Sequence, residues 1–263
     1  MTDKTNLPAV TRQITELVLS GASEHAEEAL NEAVEQFGDL AVTEVLDAME
    51  PQVAAMHLSE FDGGKLSLAT LLISPQAWAE SLAYFAATWG EDMIEDEPEF
   101  LAEALFAHIH GVLFASEDEA RRAALIREAL ATDWGTTAFA ALFSTATEDI
   151  AEIADEVQAR GARGIAHTSS DHDLIPLALE VAKSDPEGWD RVLFELFPDW
   201  RPGEDQRAAR DYGDDEELDE DDGHGYEYAP SRSTQELLLR LRKQVPSKTA
   251  SLGRPSMGED IFA

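Results

Sequence analysis

EFLAEALFAHIHGVLF, residues 99–114, decides how the rest of the chain reads. Its apolar residues do not keep to one stripe. Phe100, Leu101, Ala104, Leu105, Phe106, Ala107, Ile109, Val112, Leu113 and Phe114 go nearly all the way round a helix. A helix that is apolar on every side is normally enclosed by protein. At 1.5 Å per residue this one runs for about 24 Å, too short and too polar for a membrane span. The stretch therefore predicts a buried central helix with others wrapped around it.

Upstream, the helical period recurs in short segments. Residues 7–20 place Val10, Ile14, Leu17 and Val18 on one face, and Gly21 can end them. Residues 23–37 follow, with Ser23 as N-cap and Gly38 as stop. Then come 40–49 behind Asp39, and a segment opened by Pro51 that runs to about residue 61. Short connections predict antiparallel neighbours. After the turn signal Asp62-Gly63-Gly64, KLSLATLLIS (residues 65–74) reads equally as a strand or a buried helical piece. Ser74 and Pro75 read as N-cap and first position of a helix over 75–89. Residues 90–98, GEDMIEDEP, read as an acidic loop.

Downstream, Ser116 with Glu119 forms a capping-box pattern for a helix to about residue 131. Its Arg121, Arg122 and Arg127 are expected to face the acidic loops. Further helices are predicted over 132–147, 147–161, 171–183 and 186–197. The fold class is all-α: a multi-helix bundle or irregular helical-repeat-like domain over residues 1–200, with no shared repeat period. Residues 201–231 hold many acids and almost nothing aliphatic, so a disordered linker is expected there. Residues 232–245 predict a basic amphipathic helix, and 246–263 a flexible tail.

Charge narrows the function. The 263 residues carry 54 acids against 19 basic side chains, a net charge of −35. Phosphate contacts need clustered Lys and Arg, so direct binding to nucleic acid or to an anionic membrane surface is disfavoured. Plain solubility would also account for the excess. The partner that it suggests is a basic protein face, including one that otherwise holds nucleic acid. The expected acidic contact residues are Glu91, Asp92, Glu95, Asp96, Glu97 and Glu99, together with Asp214, Asp215, Glu216 and Glu217. The last helix, with Leu237, Leu238, Arg240, Leu241, Arg242 and Lys243, can dock back on its own acidic body or enter a groove on a second protein. A final helix that simply packs on the core is the plain alternative; of the two docking readings, the second protein is slightly favoured.

There is no cysteine, hence no disulfide frame and no thiolate metal site. The first residues, MTDKTNLPAVTRQ, lack the apolar core of a secretory signal, and a cytoplasmic location is expected. The one metal-like cluster is His167, Asp171, His172 and Asp173, two imidazoles and two carboxylates close in sequence. A metal-dependent hydrolase built on it is the catalytic alternative, although Asp171 also suits a helix N-cap. Glu103 and His110 share a helical stripe and are expected to form a buried hydrogen-bonded pair, while His25 and His57 look like surface or boundary residues. No phosphate loop, dinucleotide fingerprint, zinc-protease or nucleophile-elbow motif occurs, and no cofactor is expected. The leading expectation is a non-enzymatic adaptor, chaperone or inhibitor with acidic helices, in its sharpest form a nucleic-acid mimic. A scaffold component that docks through its last helix is the third reading.

Overall fold

The computed structural model describes residues 7–59, 67–165, 174–200 and 231–245, and every regular element among them is a helix. α1 (Leu7–Leu19), α2 (Ser23–Phe37) and α3 (Asp39–Asp47) pack on one another. Their buried faces are the ones that the period predicts: Ile14 and Val18, then Ala26, Leu30 and Ala33, then Val42, Val45 and Leu46. Gly38, at φ 85°, ends α2 and opens α3 without a connecting loop; a side chain there would be strained. α4 (Pro51–Ser59) lies against α6 (Pro75–Phe85). Between them in sequence sits α5 (Leu68–Leu72), so the ambiguous residues 65–74 hold a short helix and, among the described residues, no strand.

Local capping mostly follows residue chemistry. Ser74 Oγ accepts from Ala77 N at 3.2 Å, as the Ser-Pro pair predicts. The cap before α9 (Glu119–Leu130) differs from expectation. Asp118 accepts from the backbone N–H of Ala120 (2.9 Å) and Arg121 (3.3 Å), and Ser116 instead accepts from Asp118 N. A carboxylate at the cap position outcompetes the more distant hydroxyl. Ser23 lies inside the first turn of α2, buried, and does not cap it. Residues 91–96 are not a loop but a short helix, α7 (Glu91–Asp96), followed directly by α8 (Pro98–Leu113).

The helix enclosed on all sides is α10 (Asp133–Phe143), with α6, α8, α9, α13 (Pro186–Leu196) and α14 (Thr234–Lys243) arranged around it. Its small residues Gly135, Ala138, Ala140 and Ala141 let backbones approach closely, and Phe139 and Phe143 fill the remaining space. α11 (Thr147–Arg160) and α12 (Leu174–Ser184) complete the body beyond α9 and α13. α8 is embedded through Leu101, Ala102, Leu105, Ile109, Val112 and Leu113. Its other side is open: Phe100 is 61% and Phe114 36% exposed. The expected enclosure of residues 99–114 is therefore met on one face only.

The arginines do not face the acidic loops. Arg121, Arg127 and Arg191 serve helix C-termini, where backbone carbonyls lack partners, and Arg122 lies 3.6 Å from Glu180 of α12. Arg121 donates to Thr70 O (2.8 Å) and Val112 O (3.3 Å), at the ends of α5 and α8. Arg127 donates to Ser184 O, and Arg191 to Leu130 O, each at 2.9 Å. Scarce cations are thus taken up inside the fold.

The buried carboxylate–imidazole contact is also not the expected one. Glu103 stays exposed, while His110 stacks at 4.5 Å on Phe114. Instead His57, 1% exposed, lies 3.3 Å from the Glu27 carboxylate, so its placement at the boundary is corrected. Burial raises the Glu27 pKa, but hydrogen bonds from His57, Leu68 N and Ser67 outweigh it and hold the group below its usual value.

His108 is the other buried imidazole. It stacks on Phe85 at 4.4 Å across the α6–α8 contact, and neither ring nitrogen has a hydrogen-bond partner among the described residues. Burial pushes its pKa down to about 4. The unfolded chain takes up this proton at about pH 6.5, the folded one only near 4. The contribution is therefore whole above pH 6.5 and falls by about 3 kcal/mol as pH drops towards 4. Urea denaturation of wild type and His108→Leu at pH 7 and pH 4.5 checks this. Wild type should lose more stability than the variant, and the difference isolates His108 from the carboxylates that titrate in the same range.

Candidate acidic interface

α7 forms where a run of acids meets a helix start. Glu91 and Asp92 occupy its first turn, where negative charge complements the unpaired N–H groups. Ile94, fully buried, is its anchor, and Pro98 begins α8 immediately afterwards. With only Ile94 turned inward, everything else on this edge faces out. Glu91, Asp92, Glu95, Asp96, Glu97 and Glu99 are all exposed. Two large apolar side chains stand among them, Met93 at 48% and Phe100 at 61% exposure. Among the described residues, only Glu91 of these six carboxylates has a salt bridge, to Arg242 at 2.6 Å.

Glu99 also borders a groove of about 750 Å³ between α8, the end of α10 and the start of α11. α8 contributes Glu99 and Glu103, and the first turn of α11 contributes Glu148 and Asp149. Ala102, Phe106, Leu142 and Leu174 supply apolar lining, and Thr234 marks where α14 begins. From Phe106 the outer face of α8 continues as an aromatic ladder one turn apart, Phe106–His110 at 5.2 Å and His110–Phe114 at 4.5 Å. The Arg122 guanidinium closes it, 4.6 Å over the Phe114 ring. Carboxylates accept hydrogen bonds and donate none, so this edge and groove can hold guanidinium or ammonium groups.

α14 is seated in cis. Leu237, Leu238 and Leu241 are completely buried, against α10 and α8. Arg242 donates to Trp89 O at 2.9 Å and pairs with Glu91; Arg240 pairs with Glu195 at 3.1 Å; Lys243 is exposed. The leucine face expected to reach a second protein is here part of the core, because α10 presents a flank of small residues that it fills.

Sequence reasoning brought Glu91 to Glu99 together correctly as one exposed run. It missed Met93, Phe100, Glu103, Glu148 and Asp149. The four-residue spacing of Phe106, His110 and Phe114 marks one face of α8, but spacing alone does not tell a buried face from an open one. Asp214, Asp215, Glu216 and Glu217, and the cluster His167, Asp171, His172 and Asp173, lie outside the described residues. Among the described residues no three His, Asp or Glu side chains converge as a metal cage, and no helix is long and apolar enough to cross a membrane. No protein-family model, no curated protein and no solved structure matches the chain.

Proposed function

We infer that this protein is a non-enzymatic interaction module whose acidic helices engage a basic surface on another protein, as an adaptor, chaperone or inhibitor. The observation that carries the reading is the α7–α8 edge, where Asp92, Glu95, Asp96, Glu97 and Glu99 stand exposed without a described cation. Arginines that would otherwise neutralise it are tied to helix-end carbonyls. Met93 and Phe100 add apolar contact among the charges, and Met and aromatic side chains are enriched at protein interfaces. The same carboxylates underlie the sharper form, a protein that occupies a nucleic-acid site on its partner.

The test is direct binding to a panel of purified basic nucleic-acid-binding proteins at rising salt. Binding should weaken at least tenfold between about 50 and 300 mM salt, since exposed charges are screened over about 10 Å at 0.1 M. Combining Glu95→Gln, Asp96→Asn and Glu97→Gln should weaken it similarly at low salt. Capture that ignores both changes would remove the electrostatic mechanism. If the mimic form holds, duplex DNA competes with the protein for the partner.

A further inference from the structure

We propose that the groove between α8 and α11 receives an arginine-bearing amphipathic helix from the partner protein. The proposal rests on the reading above and locates its site. Glu99 and Glu103 come from one helix, Glu148 and Asp149 from another, and among the described residues none of the four has a salt bridge. They converge on a space of about 750 Å³ that also has an apolar lining, including Phe106 and Leu142. A ligand that satisfies both must carry cations and an apolar face. A small inorganic cation supplies no apolar face.

The fold already displays this class of ligand beside the groove. α14 is a ten-residue basic amphipathic helix, seated on α8 and α10 by three leucines and clamped to α7 through Arg242 and Glu91. Its first residue, Thr234, lines the groove. A second helix lying beyond it would meet the same materials: carboxylates at one end, and the Phe106–His110–Phe114 ladder along α8 at the other. From Glu99 to Phe114 that face measures about 22 Å, roughly four helical turns. Helix-in-groove recognition uses apolar anchors at this spacing, with flanking charges setting orientation.

The probe is a fluorescein-labelled peptide with the sequence of residues 231–245, SRSTQELLLRLRKQV, titrated into the full chain. Saturable binding in the micromolar range is expected at low salt. Glu103→Gln combined with Glu148→Gln should weaken it at least tenfold, with the thermal melt unchanged, and so should replacing the peptide's arginines by glutamine. Glu28→Gln, exposed on α2, should leave it unaltered. Absence of saturable binding overturns the proposal. So does binding indifferent to Glu103 and Glu148. Binding that exposes Arg240, Arg242 and Lys243 of the chain itself to trypsin also overturns it, because the peptide would then be exchanging with α14. The two readings fail separately: basic proteins still captured by the Glu103/Glu148 variant, but not by the Glu95/Asp96/Glu97 variant, would sink the groove and keep the interaction module.

Discussion

Trypsin should cut after Arg240, Arg242 or Lys243 far faster once Leu237 and Leu241 are both alanine, and the thermal melt should fall steeply. Both leucines are completely buried against the body of the molecule. Each truncation of a buried leucine costs about 2–5 kcal/mol, and a protein of this kind has only about 5–15 kcal/mol in total. The pair therefore releases α14 and threatens the α10 flank beneath it. Arg242→Gln is the contrasting variant. The Glu91 side chain that it pairs with is 60% exposed, and an exposed pair contributes about 1 kcal/mol or less. Its melt should barely move. If the double alanine variant melted and digested like wild type, α14 would not be seated in cis.

Gly135→Ala is expected to destabilise nearly as strongly, from one added methyl group. A Cβ there would lie 1.9 Å from Ala129 O and 2.8 Å from the Thr132 hydroxyl. The obstacle is the backbone at the end of α9, which cannot swing aside as a side-chain tip can. Thr132 also caps α10 by accepting from Gly135 N at 3.0 Å, so displacement loses the cap as well. About 3 kcal/mol of overpacking and lost capping is expected, or roughly 6–12 °C in melting temperature at this size. Calorimetry of the variant checks it. A melt within a degree or two of wild type would mean that α9 and α10 are not in such close approach.

Most of the helices were legible because their evidence is local. Ile14 and Val18, or Ile150, Ile153 and Ala154, repeat at intervals that only a helix puts on one face. Ser74 before Pro75 marks a helix start whatever surrounds it. α5 and α7 were harder. Residues 65–74 have no period to separate strand from helix, and the acids of residues 91–97 suit a loop as well as a helix N-terminus. The candidate interface was half visible. A run of adjacent acids has to lie outside, so Glu91 to Glu99 could be named; the groove required Glu103 and Glu148, far apart in sequence, to meet.

What the sequence by itself determined is the all-helical character and the surplus of carboxylates, since both follow from residue identity and short-range spacing. Only the tertiary structure decided which helix is enclosed and where α14 goes. Burial of an apolar face depends on what another element offers it. α10, rich in small residues, can be approached from all sides, whereas the aromatic side of α8 is only partly covered among the described residues, with Arg122 of α9 over the Phe114 ring. The same physics places the basic helix on its own body: three leucines find a flank that fits them, and one arginine finds Glu91.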